Sequence, residues 1–157
     1  MIGLLIGMIV VAALDQCSKI LALTYLKPVG NITVIDGVFD LTFVENRGAA
    51  FGMLEGQRWF FVAMTIAVTI GVFWYFRKKA NPKEKGYQPL RFAFMLLLGG
   101  AWGNAIDRLF RGYVVDYFEF TFISYPVFNV ADIGVVVGVI LMAILLLFVI
   151  KEEGSGS

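Results

Sequence analysis

The sequence predicts an all-α membrane protein of four transmembrane helices, with a small extracytoplasmic β-cradle and a short interfacial helix. Hydrophobic residues make up 59% of the 157 positions and charged residues only 16%, whereas about a quarter of the residues in a soluble domain are charged. The apolar residues lie in long runs, and about 20 of them cross a bilayer. A β-branched and aromatic stretch separates the first two runs. We expect one domain, over residues 1–153.

The apolar runs define the four predicted helices. Polar residues interrupt the second half of the first run, and Arg58 and Arg77 flank the second, which is otherwise apolar. The third carries Asn104 and Asp107 near its end, and the fourth begins with Asp132. The predicted helices cover about 2–26, 59–76, 90–109 and 130–150. The Gly-Ser tail at 154–157 resembles a linker or tag scar and is left out of the fold.

The basic residues predict the orientation. Residues 77–85 hold the densest Lys/Arg cluster of the chain, and by the positive-inside rule that connection is cytoplasmic. Both termini are then expected in the cytoplasm. The connections 27–57 and 110–129 are expected on the outer side.

Each outer connection has its own character. The first contains an outer β region at about 31–45, with a hairpin turn signal at Asp36-Gly37. Small apolar residues follow at 48–54, which we expect to form the short interfacial helix, and the Gly-rich stretch 48–56 is the expected mobile part. The second, at 113–128, is dominated by aromatic residues, as is typical of headgroup depth.

The residue inventory excludes several chemistries. The chain has no histidine, which removes Ser-His-Asp and Cys-His catalysis and makes a zinc site improbable. Its single cysteine, Cys17, cannot form an intramolecular disulfide. A net charge of +1 without a basic stripe gives no reason to expect nucleic acid as a partner. We expect no metal and no cofactor.

Several polar residues lie where a transmembrane helix is predicted. An ionisable side chain there costs roughly 2.5–3.5 kcal/mol on insertion scales, so each one is a candidate functional residue. Helical spacing and topology bring them to the outer ends of the helices, and Asp116 joins them from the second outer connection. The set comprises Asp15, Ser18, Lys19, Asn104, Asp107, Arg108, Asn129 and Asp132.

Two close aspartates can perform hydrolysis without a covalent intermediate. One carboxylate activates water while the other, protonated, polarises a carbonyl. Structural roles remain open, because each aspartate could pair with Arg108, Arg111 or Lys19. Asp132 lies just after Asn129 at a helix start, where it could cap the helix, and Asp107 beside Arg108 favours an ion pair. Lys19 is expected to snorkel or to pair with an acid, because adjacent Ser18 and Lys19 point about 100° apart and cannot easily share a proton.

Two glycine-containing strings have different expected roles. In the segment 46–52, Asn46 could bind a substrate amide, and the glycines permit close approach of a ligand backbone. A turn that ends the small sheet is an equal alternative. The small residues at 99–103 predict close helix packing.

Five strings, in order, carry a family resemblance. They are Asp15–Lys19 (DQCSK), Asn46–Gly52 (NRGAAFG), Gly99–Arg108 (GGAWGNAIDR), Val114–Tyr117 (VVDY) and Phe128–Asp132 (FNVAD). The chain resembles lipoprotein signal peptidase (signal peptidase II) over essentially its whole length. Tyr117, where phenylalanine is usual, and Ile133, where a small residue is frequent, are the two departures.

The resemblance implies an aspartyl endopeptidase of the bacterial inner membrane that acts on lipidated prolipoproteins. We also expect membrane lipid as a partner and a monomeric chain. Such enzymes cut the signal peptide just before a diacylglyceryl-modified cysteine and are the target of globomycin. The resemblance makes Asp116 and Asp132 the catalytic pair. The implied substrate-binding or supporting residues are Asn46, Gly48, Asn104, Arg108, Asn129, Asp15 and Asp107.

Two functions of other classes fit the residues less well. A proton-coupled transporter would spread polar residues through the depth of the membrane, whereas here they cluster towards one face. A membrane scaffold would not need two unpaired carboxylates.

Overall fold

The computed structural model describes residues 1–48, 55–78, 80–83 and 86–149. Helix α1 (Ile2–Leu21) ends in a π-helical turn (Ala22–Leu26), and α4 (Val130–Ile144) ends in another (Leu145–Val149). Between them lie strands β1 (Asn31–Ile35) and β2 (Phe39–Asn46), helices α2 (Arg58–Lys78) and α3 (Tyr87–Phe110), and strand β3 (Val114–Phe120). The predicted interfacial helix (48–54), apart from Gly48, and the Gly-Ser tail (154–157) lie outside the described residues.

Three helices of the described chain are long and apolar enough to cross a membrane: Ile2–Leu26, Arg58–Lys78 and Val130–Phe148. Their outer faces expose large apolar side chains such as Ile9, Ile70 and Ile140, a surface that suits lipid rather than water. Helix α3 has 24 residues but is less apolar. It packs against α1, α2 and α4, so its polar side chains contact protein.

Glycines allow α3 to approach its neighbours. A Cβ at Gly100 would lie 2.2 Å from the carbonyl oxygen of Ala131 on α4, and one at Gly103 would lie 2.5 Å from Oδ2 of Asp15 on α1. A larger residue at Gly100 would displace the backbone of α4, and one at Gly103 would displace the buried Asp15 side chain. The packing role predicted for the small residues at 99–103 agrees with this geometry.

A three-stranded antiparallel sheet, in the order β1-β2-β3, lies at one end of the helices. The predicted hairpin is β1 and β2, and its turn has Gly37 at φ +68°. Strand β3 was not predicted, because its aromatic composition also fits an interfacial segment. Its residues Val115 and Tyr117 pack on the end of α1, against Ala22 and Leu26.

The observed fold is therefore a helical membrane-type fold with a small sheet. The sheet covers the end where α1 and α3 finish and α4 begins. The polar residues of all three helices meet beneath it.

Candidate active site

The first carboxylate of the site belongs to Asp116, the third residue of β3. Its backbone pairs with Val44 of β2, and only 1% of the residue is exposed. Asn46 Nδ2 donates to its Oδ2 at 2.8 Å, and Asn129 Nδ2 donates to its Oδ1 at 2.6 Å. Burial, followed by the charge of Asp132, raises the pKa of Asp116 from 3.8 to about 7. Asp116 can therefore hold a proton near neutral pH.

The second carboxylate belongs to Asp132, in the first turn of α4. It forms a capping box with Asn129: Asn129 Oδ1 accepts from the Asp132 N–H at 2.9 Å, and Asp132 Oδ2 accepts from the Asn129 N–H at 3.1 Å. The other oxygen, Oδ1, accepts from Asn104 Nδ2 at 2.8 Å. The helix capping considered from the sequence is thus present, and it uses only one carboxylate oxygen.

Two buried amides join the carboxylates. Asn129 contacts both of them, Asp116 through its side chain and Asp132 through its backbone N–H. Asn104 Oδ1 accepts from Asn129 Nδ2 at 3.2 Å, while its own Nδ2 donates to Asp132. Within the described residues, no Lys or Arg forms an ion pair with Asp116 or Asp132. Amides therefore orient the two carboxylates without neutralising them.

The amide of Asn46 is oriented by the turn that follows β2. Its Oδ1 accepts from the Gly48 N–H at 2.9 Å, which leaves Nδ2 to face Asp116. Arg108 Nη2 donates to the Gly48 carbonyl at 3.0 Å, and its guanidinium lies 4.5 Å from the centre of the Phe61 ring. Arg108 thus ties this turn to α2 and α3.

Both aspartates line a cavity of about 270 Å³ at the sheet end of the helices. Part of its wall is polar, with Asn46, Asn104 and Arg108, and part is apolar, with Val135, Val136 and Phe128. An apolar groove along α4 adjoins the cavity and shares Asp132 with it. In the described part of the chain, no cluster of three or more Cys, Asp and Glu is arranged to hold a metal ion.

Asp15 and Asp107 lie in a separate, fully buried cluster with Lys19. Lys19 Nζ lies 2.8 Å from Asp15 Oδ2 and 3.1 Å from Asp107 Oδ2, and Arg111 also pairs with Asp107. The ion pair predicted for Asp107 is present, and of the three expected cations it is Lys19 and Arg111 that contact Asp107, not Arg108. Adjacent helical residues diverge, whereas Arg111 follows one turn later on the same face.

Sequence reasoning missed three contributors to this region. Gln16 Nε2 donates to Gly103 O and to Asp107 Oδ1, both at 3.0 Å. Tyr117 donates its hydroxyl to Ser18 Oγ at 2.6 Å. Strand β3 carries Asp116, and its run of β-branched and aromatic residues was a usable signal. No signal in the sequence indicated the contact of Gln16 with Asp107 or that of Tyr117 with Ser18.

Comparison with known proteins gives the family. Residues 7–148 match the sequence model of the family described as "Signal peptidase (SPase) II". The lipoprotein signal peptidase of Clostridioides difficile (strain 630) is 43% identical over 140 residues, 89% of this chain and 91% of its own. That of Caldanaerobacter subterraneus subsp. tengcongensis is 46% identical over 138 residues, 88% of this chain and 91% of its own.

Solved structures agree with the sequence relatives. A bacterial membrane enzyme solved by the in meso method at 2.3 Å resolution superimposes with a TM-score of 0.84 and 32% identity, over 99% of this chain and 92% of its own. A second, at 1.9 Å, gives a TM-score of 0.80 and 34% identity over 94% of each chain. Matches in sequence and in fold cover nearly the whole chain, and it belongs to the signal peptidase II family of membrane peptidases, the lipoprotein signal peptidases.

Proposed function

We propose that the chain is an intramembrane aspartyl endopeptidase that removes the signal peptide from diacylglyceryl-modified prolipoproteins. It cuts before the lipidated cysteine, and Asp116 and Asp132 activate the attacking water. One observation carries the proposal: two carboxylates of one chain converge on a single cavity and are held by amides, with no ion pair to a cation among the described residues. Since both come from the same chain, a monomer suffices.

The chemistry follows from one proton shared by the pair. Below pH 7 Asp116 holds the proton, because its pKa is raised to about 7, and Asp132 acts as the base. Water gives a proton to Asp132 and its oxygen attacks the scissile carbonyl, whose oxygen is protonated by Asp116. The tetrahedral diol then collapses: its C–N bond breaks, the amine leaves with a proton from Asp132, and a diol hydroxyl returns one to Asp116.

The walls of the cavity suit a lipidated peptide. Backbone amides of an extended substrate can bond the polar wall, where Asn46 and Arg108 lie, while apolar side chains contact Val135 and Val136. The adjoining groove on α4 joins Asp132 to the exposed apolar side chains of Ile133 and Val137. A substrate can therefore enter sideways from the outer leaflet and leave its diacylglyceryl chains in lipid.

The proposed topology has four transmembrane helices, with α3 as the fourth. Its 24 residues exceed the length needed to cross the bilayer, and its polar residues are covered by neighbouring helices. The basic connection after α2 is cytoplasmic by the positive-inside rule. Both termini then lie on the cytoplasmic side of a bacterial inner membrane, and the cavity opens on the extracytoplasmic side.

Cleavage of a diacylglyceryl-modified prolipoprotein, followed by gel shift, tests the assignment. Asp116→Asn and Asp132→Asn each lose the ionisable group that handles a proton, so each is expected to lower kcat by at least about 10³-fold. Asp36→Asn makes the same chemical change in the exposed hairpin turn and is expected to keep parental activity.

The experiment also separates the rival functions. Near-parental cleavage by folded Asp132→Asn rejects the aspartyl mechanism. Proton flux through proteoliposomes, without cleavage by the parent protein, favours the transporter. An unlipidated precursor cut as fast as the lipidated one rejects the proposed substrate class.

A further inference from the structure

Lys19 is a buried cation next to the proposed active site, and the mechanism above does not use it. Its side chain is 0% exposed. An ammonium has three donor protons, and Nζ has three partners: Asp15 Oδ2 at 2.8 Å, Asp107 Oδ2 at 3.1 Å and Asn104 Oδ1 at 2.7 Å. Two of these contacts are ion pairs. The third reaches a residue that contacts Asp132.

The contact with Asn104 determines which way its amide faces. An ammonium can only donate, so it holds the Asn104 oxygen on its own side and turns Nδ2 towards Asp132, 2.8 Å away. Asn129 Nδ2 also donates to the Asn104 oxygen. A flipped amide would set its NH2 group against two donors and its oxygen against a carboxylate. Asn129 is held separately, because its Oδ1 accepts from the Asp132 N–H.

The charges of the cluster provide a matched comparison. Asp15 and Asp107 carry two negative charges, and Lys19 and Arg111 carry two positive ones. Both cations contact Asp107, but only Lys19 contacts Asn104; Arg111 bonds Gln16 instead. Removing Lys19 and removing Arg111 change the net charge of the cluster by the same amount. Only the removal of Lys19 takes a hydrogen bond from the Asn104 amide.

We propose that Lys19 is a positioning residue for the proposed catalytic pair: it orients the Asn104 amide, and through it the Asp132 carboxylate. This inference rests on the proposed aspartyl function. A carboxylate that has lost a fixed donor spends less time in the attacking geometry, and small misplacements of a reacting group cost up to about 100-fold in rate. Lys19 therefore acts on kcat, while the cavity walls set KM.

Two double variants test the proposal. Lys19→Met alone leaves a buried negative charge without a partner and can fail to fold, so each cation is removed together with Asp15→Asn, which restores the charge balance. Asp15→Asn/Lys19→Met loses the contact to Asn104, and Asp15→Asn/Arg111→Met keeps it. We expect kcat on a lipidated prolipoprotein to be about 10- to 100-fold lower in the first than in the second, with KM values within about threefold.

NMR reports the environment of the Asn104 amide independently of enzyme activity. In protein labelled with [15N]asparagine, the Asn104 side-chain NH2 signals are identified by their loss in Asn104→Ala. They are expected to shift or broaden in the Lys19 double variant and to stay in place in the Arg111 double variant.

Each result decides the proposal. Equal kcat in the two double variants overturns it, as does a kcat gap with unchanged Asn104 signals. Asp132→Asn, assayed alongside, keeps the two hypotheses apart. If that variant cleaves normally the aspartyl function fails, while the NMR signals still report whether Lys19 orients Asn104. If it is inactive and the double variants are equal, only the role of Lys19 fails.

Discussion

Two pairs of aspartates lie side by side at one end of this molecule, and their hydrogen-bond partners differ in kind. Asp15 and Asp107 are bonded by the cations Lys19 and Arg111. Asp116 and Asp132 accept side-chain bonds only from asparagine amides among the described residues. Both pairs are largely shielded from water, so burial alone does not distinguish them.

The kind of partner determines what a buried carboxylate can do. A cation compensates its charge and holds it ionised, which gives a structural element that is costly to break. An amide orients the carboxylate and leaves most of its charge uncompensated, so two such groups close together favour sharing one proton. Two carboxylates can share and transfer a proton when their partners are amides, because no cation holds them both ionised. The difference in partners therefore favours Asp116 and Asp132, rather than Asp15 and Asp107, as the catalytic pair.

The largest expected effect is on stability and concerns Asp107. Its carboxylate accepts from Lys19, Arg111, Gln16 and the Val115 N–H. Among the described residues, Asp107→Asn therefore removes the ion-pair partner of Arg111 and one of the two ion pairs of Lys19. We expect the free energy of unfolding to fall by about 3–5 kcal/mol, measured by denaturation in detergent at pH 7.

Asp116→Asn is the matched change in the other pair. At pH 7 it replaces a carboxyl group whose pKa is about 7 and loses one amide bond, so we expect it to stay within about 1 kcal/mol of the parent. Equal losses of stability in the two variants would contradict the distinction between the pairs.

The next effect is on the pH dependence of cleavage. Asp116 loses its proton as the pH rises through about 7, and the pair then carries two negative charges. We expect kcat/KM to fall about tenfold per pH unit above that point. A rate that stays constant up to pH 9 would contradict the shared proton.

The pH dependence of the free energy of unfolding is a control for the shared proton, because the pKa of Asp116 determines its direction. The pKa of Asp116 is higher in the folded protein than its ordinary value of 3.8. The unfolded chain therefore releases this proton at lower pH, and the contribution of Asp116 to stability falls as the pH rises from about 4 to 7. In Asp116→Asn this part of the pH dependence of the denaturation midpoint should disappear.

The smallest effect tests whether the two pairs act independently. Tyr117 follows Asp116 on β3 and donates to Ser18 on α1, between Asp15 and Lys19. Tyr117→Phe removes this link and keeps the ring. We expect a loss of about 1 kcal/mol in stability and cleavage within about twofold of the parent. A large loss of cleavage would show that the two pairs are coupled through this bond.

Much of the fold was predictable because its signals are local. Apolar runs predicted helices, and Asp36-Gly37 between β-branched residues predicted the hairpin that β1 and β2 form. Spacing along α1 and α3, combined with the topology, predicted that the polar side chains meet at one end. Strand β3 was missed because its partner, β2, lies about 70 residues earlier in the chain, and Asp116 was accordingly assigned to a connection.

The chemistry available to this chain follows from its residues alone. Without histidine, and with few charges outside the connections, acid–base chemistry at the helix ends falls to carboxylates, which amides, Lys and Arg can orient or pair. Which aspartates receive cations and which receive amides depends on contacts between residues far apart in the chain. Lys19 meets Asn104 across 85 positions, and Gln16 meets Asp107 across 91. Helical periodicity indicates the face on which a side chain lies, but the rotation and close approach of neighbouring helices, permitted here by Gly100 and Gly103, select its partner.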